Sequence, residues 1–300
     1  MHKFDRGAIV RCLSPFLLLL SAASLFAQCD MSGEWVMNSR EDWEDRFLSG
    51  APLGDYTGYP INAAGRQFAD SWNGSIESQS QRQAAPHTAT YASRGPNGTR
   101  LRFAVVENPA TRVPVAYTVV GIYGILNRTI WLDGRPHPPE FAEHTYEGFS
   151  TGECQRGILK VTTTHIKYGE LRRNGVPSSA DAKMTEYFIR HGDLMTIFEF
   201  VEDPAYYDEP VVKTTDLVRD PSRHAAVWEP VQVSSEELGT GSTDPVPSYP
   251  LGTIHSEYAT KFGLPLEAVR GGKETLYPEY FWKLRQMSGE NSAPRLGGGK

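Results

Sequence analysis

Between about residue 99 and residue 218 the apolar positions fall mostly into short runs with a strand period. "TRLRFAVVE" (99–107), "VAYTVVGIYG" (115–124) and "RTIWLDG" (128–134) are rich in Val, Ile, Thr and aromatic residues and predict three strands. "GILKVTTTHIK" (157–167) alternates, so Leu159, Val161, Thr163 and His165 are expected on one face and Lys160, Thr162 and Thr164 on the other. "AKMTEYFIR" (182–190) and "LMTIFEFVE" (194–202) flank "HGD", where Gly192 is free to take positive φ, and they predict a hairpin. "EPVVKTTDLV" (209–218) adds a further strand. The turns between these runs are too short for crossover helices. The sequence therefore predicts a mainly β fold with a closed or strongly curved antiparallel sheet.

Outside this region the period changes. In "PINAAGRQFADSW" (60–72), Ile61, Ala64, Phe68 and Trp72 share one helical face and Pro60 suits a first turn. "SEYATKFGL" (256–264) and "PEYFWKLRQM" (278–287) read as short helices starting at Ser256 and Pro278. "SSEELGTGSTDPVPSYPLGT" (234–253) is linker-like, and 288–300 has no apolar content and is expected to be disordered. This gives a β-rich domain over 28–220 with an N-terminal helical segment, followed by a C-terminal extension over 221–287. The first 27 residues have a basic head, a short apolar run and a small-residue exit at Ala27. They read as a signal peptide, so the chain is expected to be secreted or periplasmic, with no stable membrane span.

Composition narrows the function classes. The net charge is -6, the pI about 5.8, and there is no basic stripe, which argues against a nucleic-acid partner. "RGPNG" and "RGGKE" precede no phosphate-cradling helix, and no cofactor is expected. Of three cysteines, Cys12 leaves with the signal. Cys29 and Cys154 remain, and an oxidising compartment permits a bridge between them, although their spacing has no motif character. Asn73, Asn97 and Asn127 head glycosylation sequons that matter only in a eukaryotic host.

Longer stretches carry a resemblance. "IWLDGRPHPPEFAEHTYEGFSTGE", "TTTHIKYGELRRNGVPSSADAKMTEYFIRHGD", "VEDPAYYDEPVVKTTDL" and "GLPLEAVRGGKETLYPEY" resemble a family of secreted bacterial proteins of unknown function. "CDMSGEW", "GDYTGYPINAAGRQFADSW" and "SRGPNGTRLR" fit it too, so the resemblance covers roughly 29–280. It implies an exported, β-rich bacterial protein similar to lipocalin-like barrels, as a full barrel or half-barrel with short flanking helices, and it supplies no activity. The chain departs from the family at Glu153-Cys154-Gln155-Arg156-Gly157, where an aromatic and an acidic pair are usual.

The densest candidate chemistry is in 130–153. Asp133, Arg135, His137 and His144 sit in a proline-stiffened loop after a strand, a sound place for acid–base work or for Arg135 to fork onto a carboxylate. The plainer reading has Asp133 capping a turn and His137 packing between prolines. His165, on the apolar face, is either a satisfied core histidine or a pocket group. Asp133, His137, His144 and His165 form the candidate catalytic set. Trp131, Arg135, Tyr146, Phe149 and Tyr187 are the candidate ligand contacts. His137, His144 and His165 with Glu140, Glu143 and Glu147 include zinc-ligand types, but their spacing fixes no geometry and no metal is expected. Glu186, Arg190, Glu199 and Glu202 read as cross-strand salt pairing. Gly148-Phe149-Ser150-Thr151-Gly152 matches a hydrolase nucleophile elbow in the wrong context, since a strand rather than a helix follows it.

Three functions stay open. The leading one is capture of a small, partly apolar ligand in the barrel, with Trp131, His165 and the 133–149 loop near the mouth. The rival is a periplasmic lyase, isomerase or hydrolase using the histidine–aspartate set. The third is a structural or envelope-interaction protein.

Overall fold

The computed structural model describes residues 29–38, 52–72, 87–92, 100–120, 128–172, 174–222 and 252–287. The signal segment, the three sequon asparagines, most of the 234–253 linker and the 288–300 tail lie outside the described residues.

Among the described residues, nine strands close into a barrel. They are β1 (Gly33–Met37), β2 (Arg100–Glu107), β3 (Pro114–Val120), β4 (Arg128–Trp131), β5 (Phe149–Gln155), β6 (Ile158–Thr164), β9 (Lys183–His191), β10 (Leu194–Glu202) and β11 (Val211–Arg219). The order around the barrel is β1-β11-β10-β9-β6-β5-β4-β3-β2. β7 (Gly169–Arg172) and β8 (Val176–Ser178) form a separate two-stranded sheet. The expected antiparallel sheet is present except at one seam, where β4 and β5 run parallel, with Ile130 opposite Ser150 and Trp131 opposite Thr151. A parallel connection must return to the end where the first strand began. Residues 132–148 make that return, which is why this loop is long.

The barrel interior is lined by alternate residues of its strands, most regularly in β6, β9 and β10. At one end Trp35, Leu101, Phe103, Tyr117, Ile130, Leu159, Val161, Phe188, Met195, Ile197 and Leu217 form one apolar cluster. At the other, Met184, Val201 and Val211 join Tyr56, Ile61, Ile166, Leu171, Val176 and Tyr207 in a second cluster. That second cluster belongs to a cap made of the β7–β8 sheet, helix α1 (Ala63–Asp70) and the segment around Tyr207, which bridges to Ile61. Each large side chain so buried contributes about 1.5–3 kcal/mol.

The first end is closed by the N-terminal segment. Cys29 and Cys154 are joined by a disulfide, with their Cα atoms 5.8 Å apart. The Tyr117 hydroxyl accepts from the Met31 N–H at 3.1 Å and donates to the Cys29 carbonyl at 3.0 Å, and burial pushes its phenol up to about 12. The Trp35 indole donates to the Met31 carbonyl at 3.0 Å.

Helix α1 begins three residues after Pro60. Asn62 caps it by accepting from the Gly65 N–H, and Ile61 is held in the bridge to Tyr207 rather than on the helix. A short helix α2 (Ala89–Ala92) packs by β7. The extension forms α3 (Glu257–Phe262), α4 (Leu266–Val269), a 3-10 turn (Lys273–Leu276) and α5 (Pro278–Met287), the last starting at Pro278 as expected. It is fastened to α1 by an Arg270–Asp70 ion pair. Gly271 lies at φ +73, and a Cβ there would meet the Tyr56 carbonyl at 2.5 Å.

Candidate functional site

Two groups of polar side chains stand out, one on each face of the barrel wall. The outer one is built by the 132–148 return. Its histidines come together: His137 and His165 flank the Thr164 hydroxyl, and the rings of His144 and His165 are 5.2 Å apart. They do not point into the barrel. Thr151 and Thr164 alternate with the inward Ser150 and Thr163, so His137, which bonds both, lies on the outer face of β5 and β6.

Hydrogen-bond bookkeeping fixes the neutral tautomers. His165 Nε2 is 2.9 Å from the Pro139 carbonyl, which only accepts, so Nε2 carries the proton and Nδ1 accepts from the Thr164 hydroxyl at 2.8 Å. Thr164 then accepts from His137 Nδ1–H at 2.7 Å. That leaves His137 Nε2 to accept from the Thr151 hydroxyl at 2.8 Å. Every bond in the row Thr151–His137–Thr164–His165–Pro139 runs in one direction. Burial, followed by the nearby His165 and Lys183, holds the His137 imidazole below its ordinary value. His144 donates from Nδ1 to the Ile166 carbonyl at 3.0 Å, and its Nε2 has no hydrogen-bond partner among the described residues.

His165 corrects the alternation. β6 ends at Thr164, and His165 takes φ +57, which turns its ring out of the apolar face; Ile166 enters the cap core instead. The Thr145 N–H donates to the His165 carbonyl at 2.9 Å and holds the turn. Gly148, at φ +68, lets the loop touch down here, since a Cβ would meet the Thr163 methyl at 2.7 Å.

The other expected site residues scatter. Arg135 does fork onto a carboxylate, that of Asp133 at 2.6 Å, which holds Asp133 below the usual carboxylate range. The Arg135 guanidinium stacks 3.4 Å from the Trp131 ring centre. Phe149 meets His137 edge-on at 5.3 Å. Tyr146 lies under Lys167. Tyr187 is on the outer face of β9, packed on Phe200, and is not part of the cluster. No group of three or more metal-ligating side chains is found among the described residues.

The inner group is a belt of charge between the two apolar clusters. Arg128 of β4 pairs in a fork with Glu186 of β9 and also donates to Ser150 at 3.0 Å and Thr163 at 2.7 Å. Arg128 is 4% exposed and Glu186 1%. Glu186 stands directly opposite Glu199 of β10, which stands directly opposite Lys213 of β11. Lys213 Nζ is 2.7 Å from Glu199 Oε1 and donates to the Thr90 carbonyl of α2 at 2.6 Å. Two like charges facing each other across a ladder repel. Here Arg128 and Lys213 flank them, so the row reads plus, minus, minus, plus. Burial most of all, and then Glu186, push the Glu199 carboxyl up, while Lys213 and Arg128 pull it down.

The cross-strand salt pairing expected here holds for Glu199, which faces Lys213, but the cations come from outside the hairpin. Glu186 and Glu199 do not pair with cations inside their hairpin; their partners come from β4 and β11. The signal was in the alternation: Met184-x-Glu186-x-Phe188 and Ile197-x-Glu199-x-Val201 each put a glutamate among inward apolar positions. Ser150 is a belt residue in mid-strand, with its hydroxyl on Arg128 and Thr163, and not at the strand-to-helix turn of a nucleophile elbow. No protein-family model, no curated protein and no solved structure matches this chain.

Proposed function

We propose that this is an exported protein that captures a small, partly apolar ligand inside the barrel, with the charged belt as its polar anchor and the apolar clusters as its walls. One observation carries the reading: four charged side chains project into a closed barrel where alternation would otherwise place apolar ones. Burying an ion pair seldom gains stability over well-packed apolar residues, so a purely structural barrel has little reason to keep two. Inward-facing ionisable groups are what a binding or reactive interior uses. The signal-like N-terminus and the Cys29–Cys154 bridge support export, and the family resemblance stands with them. The catalytic rival is weaker. Both nitrogens of His137 and of His165 are committed to the protein, and Asp133 is committed to Arg135.

The test uses 1-anilinonaphthalene-8-sulfonate, an aromatic anion, titrated onto the native protein. We expect saturable binding of about one equivalent. Val161→Phe, beside the belt, should weaken it at least tenfold, while Thr185→Phe on the outer face should not. No saturable binding, or equal binding in a folded Val161→Phe variant, defeats the proposal.

A further inference from the structure

The two ends of the belt differ in a way that points to the ligand's headgroup. Arg128 is enclosed: its donors serve Ser150, Thr163 and both oxygens of Glu186, and its side chain is 4% exposed. Lys213 is open. An ammonium has three N–H donors. Two are used, on Glu199 and on the Thr90 carbonyl, and the third has no partner among the described residues. The Lys213 side chain is 15% exposed while its partner Glu199 is 2% exposed, so the lysine is on the solvent side of the pair. Glu199, the deeper member, is also the one placed against a second carboxylate, Glu186.

We infer that Lys213 anchors a carboxylate headgroup on an apolar ligand, and that Glu199 gives up its place as the lysine's counter-ion by taking a proton from solvent. This rests on the ligand-binding reading of the barrel. The charge balances at each stage. The empty belt holds Arg128 and Lys213 against Glu186 and Glu199, a net charge of zero. The loaded belt holds Arg128 and Lys213 against Glu186 and the ligand carboxylate, with Glu199 neutral, again zero. No covalent bond is made or broken. The charged groups acting on Glu199 are Lys213 from β11, Glu186 from β9 and Arg128 from β4. Glu186 keeps Arg128 throughout. Glu199 is therefore the carboxyl that burial and a like-charged neighbour both favour in the neutral form. A ligand that binds the form with Glu199 protonated better than the ionised form takes up a proton as it binds, and binds more tightly as pH falls toward the Glu199 pKa.

Three probes of one chain length separate the ideas: dodecanoate, dodecan-1-ol and dodecylammonium. Calorimetry in two buffers of different ionisation heat reports both affinity and protons taken up. Dodecanoate should bind about tenfold or more tightly than the alcohol, as a charge-assisted hydrogen bond to a part-buried ammonium would give. It should take up close to one proton, while the alcohol takes up none. Lys213→Met should bring dodecanoate down to the alcohol's affinity, and Glu199→Gln should abolish the proton uptake while dodecanoate still binds. Equal binding of acid and alcohol, acid binding without proton uptake, or preference for dodecylammonium each overturns the inference and leaves the barrel reading standing. Failure of all three probes to bind overturns both. The wild-type affinities and proton count decide the matter even where a variant does not fold.

Discussion

Removing Arg128 alone should be among the most damaging single changes in the barrel. Arg128→Met keeps a long apolar stem but leaves Glu186, 1% exposed, without its forked partner and directly opposite Glu199. Stripping one member from a buried pair costs about 3–5 kcal/mol, because the remaining charge stays desolvated. The hydroxyls of Ser150 and Thr163 lose their Arg128 bonds but keep each other at 2.9 Å, which adds at most about 1 kcal/mol. Glu186→Leu alone should cost a similar amount by leaving the guanidinium buried. The double variant removes both charges, and its cost should fall to within about 2 kcal/mol of wild type. The coupling between the two sites is then several kcal/mol, well beyond what independent positions show. Urea unfolding followed by tryptophan fluorescence measures it. At an m value of about 2 kcal/mol/M, each single variant lowers the midpoint by roughly 2 M. If Arg128→Met costs under 1 kcal/mol, or if the double variant loses as much as the two singles added, the belt is not a coupled buried network and the argument fails.

Two further predictions follow from other parts of the fold. The Cys29–Cys154 bridge closes a loop of 125 residues, so Cys29→Ser/Cys154→Ser should lose about 2–5 kcal/mol and reductant should bring wild type to the same unfolding midpoint; an unchanged midpoint in reductant contradicts the bridge. His137 is held below its ordinary 6.5, so the unfolded chain binds its proton first: its contribution to stability is present above 6.5 and is lost as pH falls through the lower folded value. His137→Phe should remove this pH dependence and cost about 1–3 kcal/mol through the two lost threonine bonds, and a His137 ring titrating in NMR at or above 6.5 rejects the reasoning.

Local pattern alone determined much of the barrel. Period-two runs placed β2, β9, β10 and β11, and the start of β6, within a residue or two, because a strand with one face buried must alternate. Pro278 set the start of α5, because a proline tolerates only a helix's first turn. Among the strands missed, β5 has little β propensity of its own. β5, "FSTGECQ", has a glycine where Leu132, Ile130 and Leu159 crowd in, so its neighbours, not its residues, make it a strand. The loop's polar residues were legible from 133–144, but their direction was not. Only the parallel seam between β4 and β5 sends 132–148 back along the outside of the wall, carrying His137 onto Thr151 and Thr164. The belt was decided at the same level. Alternation already turned Glu186 and Glu199 inward, but closure of the barrel brought Arg128 and Lys213 from strands far away in sequence to neutralise them. Within a strand, sequence period fixes which face a side chain takes; where the strand ends, as at His165, and the order and direction of the strands are decided by the fold.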